Sequence, residues 1–348
     1  MTNHKLELSD KISQFLIEKN QQMLFTKLSA DYLKASNLKD ILMGVDVPIS
    51  VDAMDHLTNL TIAMSMARII GADENFRYAD AYRAALLRLY GDNCNKVLIS
   101  EGTKAGDSGS FEIACMYFRA ALQLQPMNRD ALYLYGRACQ DAYEQEGKDE
   151  NYVGCFKAQS IDIFEELTIL HPDFDLGYYY LGYSYTNLGL YTKAQITWQR
   201  FMELSRERTM DGSSDVNPIP DDELQEMREE IGNRLESLEG AVDIESAINR
   251  ILTGDFQTGI DELSPYEDGP YSQWWPLWYY LGVAYAGMEQ GTESVEAYKR
   301  ALSLSPSNIQ VMTELIEVYQ SLGDYENAEK YINKIRVVEK NMEEETQN

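Results

Sequence analysis

Few residues of this chain are spaced to do metal or nucleophilic chemistry. The four cysteines, Cys94, Cys115, Cys139 and Cys155, form no CxxC pair, and a thiolate zinc site would need a long-range convergence that the spacing does not suggest. They read as small apolar side chains on helices. The three histidines, His4, His56 and His171, supply no HExxH, and His171 precedes Pro172 at a helix end, a place for capping or solvent rather than catalysis. There is no GxGxxG, no GxxxxGKS/T and no DxDxDG spacing, which removes the readable dinucleotide, phosphate and calcium loops. Adjacent carboxylates such as Glu165–Glu166 and Asp221–Asp222 follow by chance from 57 acidic residues. A general acid/base pair needs convergence in a dry pocket. No catalytic residue, metal ligand or cofactor is therefore assigned. What remains is recognition chemistry. The chain has 24 tyrosines, and tyrosine is a large, rigid side chain with one polar handle.

The surrounding composition sets limits. The chain has 348 residues, 44% apolar and 25% charged, enough to bury a core. Its formal net charge is −27, which makes nucleic acid and anionic membrane surfaces poor partners and favours a basic or apolar one. No apolar run reaches the ~18 residues of a membrane span, so no membrane insertion is expected. The opening MTNHKLELSDKISQF lacks the apolar core of a signal peptide, so a cytoplasmic location is expected.

The elements that must position the tyrosines are repeated helices. FEIACMYFRAALQLQP (111–126), GYYYLGYSYTNLGLYTKAQITWQRFMELS (177–205), WYYLGVAYAGMEQGTESVEAYKRALSLSP (278–306) and VMTELIEVYQSLGDYENAEKYINKI (311–335) align with one another. Tyr285 and Tyr319 take the same place in consecutive units, one full period apart. Three of these segments show an apolar helix, a short turn near Gly or Asp, and a second apolar helix, with 3.6-residue periodicity in both.

This pattern resembles the tetratricopeptide repeat family. Tyr178, Leu181, Gly182, Tyr185, Gly189, Tyr191, Ala194 and Trp198 match its motif residue by residue, as do Trp278, Leu281, Gly282, Tyr285, Tyr298, Ala301 and Pro306. Leu315, Tyr319, Gly323, Asp324, Tyr325 and Ala328 match in the last unit, where Ile316 replaces the tightly packed Gly. Phe201, Arg206 and Ser294 also depart from it. Weaker units run from Leu98 and Gly102 to Pro126, and from Leu132 and Gly136 through Phe164 to Pro172. From Pro126 to Pro172 the second exceeds one period, with the excess near Asp141–Gly154 as a lengthened first helix or an acidic loop.

The resemblance implies an all-α fold, a right-handed superhelical solenoid of antiparallel helix hairpins whose concave groove is lined by first helices. Carried over by register, groove positions fall on Tyr133, Arg137, Tyr179, Tyr183, Asn187, Tyr279, Thr313 and Glu317. Trp278 takes the large core position, while Trp274 and Trp275 precede or open the same helix, and Trp275 joins the candidates at the groove edge. Some family members clamp a C-terminal carboxylate with basic first-helix residues. Here the corresponding places hold Ile99, Thr103, Tyr133, Arg137, Tyr179 and Tyr183, with one basic residue among them, so the acidic tail of a heat-shock chaperone is not the expected ligand.

The expected organisation is an N-terminal helical cap at 1–55, a first half-array at 56–208, a flexible acidic linker or loop at 209–222, a second half-array at 223–340 and a frayed tail at 341–348. The two half-arrays are either separate or one continuous superhelix. Residues 7–35 read as one or two amphipathic helices, with Leu16, Leu24, Phe25, Leu28 and Tyr32 recurring. GVDVPIS reads as a linker or short extended segment before a helix near Val51–Asp55. Leu60–Ile70 and Phe76–Tyr90 read as a helix pair, and further helices are expected at 221–237 and 241–252. The expected function is a non-catalytic protein- or peptide-binding scaffold. The alternatives are a regulator whose superhelix changes with a bound peptide, and an enzyme with a site in the N-terminal region. The oligomeric state is left open.

Overall fold

Apolar residues at helical spacing, many of the runs opened by a short polar side chain, build most of the chain as paired helices. The structure is a computed structural model that describes residues 10–50, 57–207 and 219–346. It begins with α1 (Ser13–Lys19), strand β1 (Leu24–Lys27), α2 (Ala30–Ala35), α3 (Lys39–Leu42) and strand β2 (Asp46–Ile49). Hairpins follow: α4 (Asn59–Ala72) with α5 (Ala79–Tyr90), α6 (Cys94–Asp107) with α7 (Phe111–Leu124), α8 (Arg129–Tyr143) with α9 (Glu150–Leu170), and α10 (Asp175–Asn187) with α11 (Tyr191–Glu207). The remainder is α12 (Asp221–Leu252), α13 (Phe256–Leu263), α14 (Trp275–Gly287), α15 (Gly291–Leu304), α16 (Ile309–Ser321) and α17 (Tyr325–Thr346).

The chain forms two compact units, Met1–Leu188 with Ile196–Glu229, and Gly189–Gln195 with Glu230–Asn348. In each, neighbouring hairpins stack: α7 on α8 in the first, α15 on α16 in the second. Asparagine starts two of the first helices. Asn128, just after Pro126, accepts from the Ala131 amide at 2.9 Å, and Asn308, just after Pro306, accepts from the Val311 amide at 3.1 Å. Each bond satisfies an amide that the helix itself leaves without a partner. Between α16 and α17 the chain turns at Gly323, whose φ of 76° favours glycine.

One joint recurs inside the hairpins. A methyl group on Gly102 would lie 2.5 Å from Phe118 Cε1, on Gly136 2.7 Å from Phe164 Cζ, and on Gly282 2.6 Å from Tyr298 Cδ1; on Gly182 it would run into the Trp198 indole. The missing side chain lets a ring from the second helix lie on the first helix's backbone. The interval from glycine to ring is the same for Gly102–Phe118, Gly182–Trp198 and Gly282–Tyr298, and longer for Gly136–Phe164. The insertion in that longer hairpin is not a lengthened first helix. α8 ends at Tyr143, and the excess forms the turn at 144–149 and the start of α9, which runs from Glu150 to Leu170. That turn is tied down: Lys148 Nζ donates to the buried Glu112 carboxylate at 2.9 Å, and Tyr152 Oη donates to it at 3.1 Å. In the last hairpin Ile316 replaces the glycine and Ile332 replaces the ring, both in one apolar cluster.

Several expectations are corrected. Leu24 and Phe25 belong to a strand, not a helix. β1 pairs antiparallel with β2, Leu24 opposite Ile49 and Lys27 opposite Asp46. Apolar residues in the 7–35 stretch fit a helical period, but α1 stops at Asn20, and the next run, Leu-Phe-Thr-Lys, finds its partner in β2. The two helices expected at 221–237 and 241–252 are one, α12. Gly240 does not break it; the Tyr271 and Tyr266 rings pack close to its backbone, 3.2 and 3.4 Å from where a Cβ would stand. α17 runs from Tyr325 to Thr346, with no Gly or Pro to interrupt it. The helix start expected near Val51–Asp55 and most of the 209–222 loop lie outside the described residues. α4 begins at Asn59, capped by Thr58.

Candidate peptide-binding face

α8 and α10 both pack on α9, and this brings four sequence candidates of the first unit together. Tyr133 and Arg137 stand one turn apart on α8; Tyr179 and Tyr183 stand one turn apart on α10. Arg137 Nη1 donates to Tyr180 Oη at 2.5 Å and to Tyr133 Oη at 3.4 Å, and the guanidinium carbon lies 4.4 Å from the Tyr180 ring centre. Tyr133 and Tyr180 are 5.9 Å apart between ring centres, Tyr179 and Tyr180 4.9 Å, and Tyr179 and Tyr183 5.1 Å. The row is anchored from below. Tyr180 stacks on buried Phe164 at 5.7 Å, Tyr183 meets Trp198 edge-on at 5.0 Å, and Trp198 Nε1 donates to the Tyr179 carbonyl at 3.0 Å.

All five side chains are half-buried, so each has a packed flank and a wet edge. Burial, then the Tyr133 phenol, pushes the Tyr180 phenol far up, so it is a neutral donor and acceptor at physiological pH. Burial opposes the charge on Arg137, but Tyr180, Tyr133 and Asp141 outweigh it and hold the guanidinium above its ordinary value. No carboxylate forms an ion pair with Arg137 among the described residues. The arrangement offers flat aromatic area, phenolic hydroxyls and one oriented cation, which suits binding and lacks a nucleophile paired with a base. Tyr180, the hub, was missed in the sequence. It stands in a run of three tyrosines, and family register pointed to its neighbour. Its spacing of three from Tyr183 on the same helix is the signal that could have found it.

The other candidates are placed apart. Asn187 is exposed in the last turn of α10, where its carbonyl accepts from Lys157 Nζ at 3.4 Å. In the second unit Trp275 opens α14, half-buried, with its ring 6.1 Å from Tyr279. Tyr279 is buried: it is only 8% exposed, and Gln310 Nε2 of α16 donates to its hydroxyl at 2.8 Å. The next hairpin covers the face that register alone would open. Trp274 is the exposed tryptophan, at 40%, and Trp278 is turned inward, donating to the Ser272 carbonyl at 2.9 Å.

Three cysteines, Cys94, Cys115 and Cys139, are buried, and Cys155 is half-buried. Burial pushes the Cys94 thiol up to about 11, far from thiolate reactivity. Among the described residues no group of three or more His, Cys, Asp and Glu side chains could hold a metal ion. No helix among them is long and apolar enough to cross a membrane.

A sequence model of the tetratricopeptide repeat matches residues 276–308 and 317–335. No curated protein matches the chain. Among solved structures, the chain is similar to MamA from Desulfovibrio magneticus RS-1 at 15% identity over 72% of this chain and 98% of that one, with a TM-score of 0.28. It is similar to the TPR2AB domain of yeast Sti1, solved in complex with pHSP90, at 13% identity over 71% and 92%, with a TM-score of 0.31. A tetratricopeptide repeat protein from Parabacteroides merdae shares 12% identity over 80% and 93%, with a TM-score of 0.30. The matched segments lie within α14–α17, which are tetratricopeptide repeats, and the first of their hairpins is built on the same glycine-on-ring joint as three others in the chain.

Proposed function

We propose that this chain is a non-catalytic scaffold that holds a segment of another protein against the aromatic face of α8 and α10. The observation that carries the reading is the row of half-buried tyrosines ordered around Arg137. Rigid rings that keep one edge in water lose little side-chain entropy on binding and supply large contact area. The segment at this face is mainly apolar, because the tyrosines' wet edges are ring carbons and neutral hydroxyls, with the Arg137 guanidinium as the one charged contact it meets. Basic residues elsewhere in the partner suit the charge of −27, which speeds encounter more than it deepens affinity.

The test is affinity capture from the native host with the intact chain and with an Arg137→Gln/Tyr183→Ala variant, both checked for helical content. A protein retained by the intact chain and weakened about tenfold or more in the variant supports the reading. Equal retention by both, or no protein retained by either, sinks it.

A further inference from the structure

The two-stranded sheet has one closed edge and one open edge. Pro48 stands opposite Phe25 in the antiparallel register. Proline has no N–H, so Phe25 and Pro48 form the pair whose amide groups point apart, and the hydrogen bonds are exchanged by Leu24 with Ile49 and by Thr26 with Val47. The outward groups of β2 are therefore those of Asp46 and Pro48. Asp46's carbonyl accepts from Tyr82 Oη at 2.5 Å, and Pro48 has nothing to donate. That leaves one donor, the Asp46 N–H, and one acceptor, the Pro48 carbonyl, so this edge is a poor template for another strand.

The outward groups of β1 are the N–H and C=O of Phe25 and Lys27. No backbone or side-chain group among the described residues bonds them. All four residues of β1 are exposed, with Leu24 at 49% and Phe25 at 43%. The Phe25 ring rests on Phe76, with centres 5.8 Å apart, and Phe76 stacks at 5.8 Å on fully buried Tyr82. An apolar side chain held rigidly beside unpaired strand amides is what natural sheet edges avoid. Its local charge differs from that of the whole chain: the stretch 24–39 holds Lys27, Lys34 and Lys39 against Asp31, and the acids beside it, Asp40 and Asp46, are ion-paired with Arg88 and Arg77. Lys27 is exposed and has no ion pair among the described residues.

We infer that β1 is a docking edge for an extended segment of another protein, which adds as a third strand antiparallel to β1. The segment carries a carboxylate opposite Lys27 and, two positions later, an apolar side chain opposite Phe25. Phe25 and Lys27 exchange backbone hydrogen bonds with those two positions, and the cross-strand pairs select the sequence. A second copy of this chain is a poorer occupant. Antiparallel self-pairing would set Phe25 against the other copy's lysine and bring together two chains of −27 each. This surface is separate from the tyrosine face and does not depend on its use.

The experiment uses the full chain and the labelled peptide Ser-Thr-Glu-Thr-Val-Val-Thr-Ser, in which Glu and the first Val take the two positions. Amide exchange at Phe25 and Lys27 is fast in the free protein and slows about tenfold or more at saturating peptide. N-methylation of the Glu and first Val nitrogens leaves the protein untouched and weakens binding about tenfold or more. Lys27→Glu weakens it about fivefold, and a Lys-for-Glu peptide recovers the loss. Undiminished binding of the N-methylated peptide overturns the inference. So do Phe25 and Lys27 amides already protected in the free monomer, which would mean the chain covers its own edge, and a dimer in sedimentation that dissociates on adding peptide.

Discussion

Two hairpins, one centred in each unit, carry the same joint in different surroundings. In the first unit Gly182 faces Trp198, and Tyr179 stays half-buried beside Tyr183. In the second Gly282 faces Tyr298, and Tyr279 disappears under Gln310. The units also differ in what they bury. Among the described residues the first encloses Glu112, Gln159 and Asp175 along with several smaller polar side chains, whereas the second encloses Ser294 alone. The joint shows that local spacing dictates how a hairpin closes. The tyrosines show that the next hairpin decides whether a face stays available. The buried carboxylate held by Lys148 makes the first unit lose stability on acidification, while the second rests mainly on apolar packing.

The largest test removes the joint. Trp198 and Tyr298 are almost fully buried, and Trp198→Ala and Tyr298→Ala should each cost about 3–5 kcal/mol in urea unfolding, because a ring-sized cavity opens between helices that cannot collapse onto it. A loss under ~1 kcal/mol in either unit would break the equivalence of the two joints.

The next separates the units by pH. Burial alone would raise the Glu112 carboxyl, but the Lys148 hydrogen bond, with the Lys19 charge, holds it below its ordinary value. A folded value below the unfolded one contributes stability that is present above the unfolded value, ~4.3, and is lost as pH falls through the folded value. Lys148 keeps 27% of its side chain exposed, so Glu112→Gln should cost about 1–3 kcal/mol at pH 7 rather than the full cost of breaking a buried pair. That difference from the parent chain should vanish once Glu112 is protonated in both states. In the second unit Glu314 is raised, by burial and then by Glu317, so its sign is opposite: acidification relieves it. Urea midpoints followed at pH 7 and at a pH below the ordinary carboxylate value of ~4.3, with Glu314→Gln as the companion variant, should diverge in these two directions. A parallel fall with pH would refute the contrast.

The smallest test sharpens the tyrosine comparison. Gln310→Ala removes one hydrogen bond from Tyr279 and should cost about 0.5–1.5 kcal/mol, with no change in peptide retention at the tyrosine face of the first unit. A gain in retention would mean that Tyr279 is a masked recognition residue after all.

Much of the fold was legible. The recurring interval from glycine to aromatic ring marks the hairpins, the insertion shows as a surplus between Pro126 and Pro172, and Gly254 and Phe256 mark the turn into α13. The misreadings share a cause. Leu24 and Phe25 fit a helical period as well as a strand, and only their pairing with β2, fixed by contact, chooses between them. Gly240 looks like a helix end until the tyrosines that pack against it are known. Of the candidate site, the register pointed to Tyr133, Arg137, Tyr179 and Tyr183, but Tyr180's central place depends on α8 and α10 meeting over α9.

From its order of residues alone the chain is committed to stacked helical hairpins, because helical period, capping asparagines and glycine-on-ring spacing act within a hairpin and need no distant partner. Which tyrosines keep an edge in water, which acid is buried beside a lysine and which strand edge is left unpaired were decided by the tertiary structure. Exposure is a property of what packs next, and segments far apart in sequence supply that neighbour.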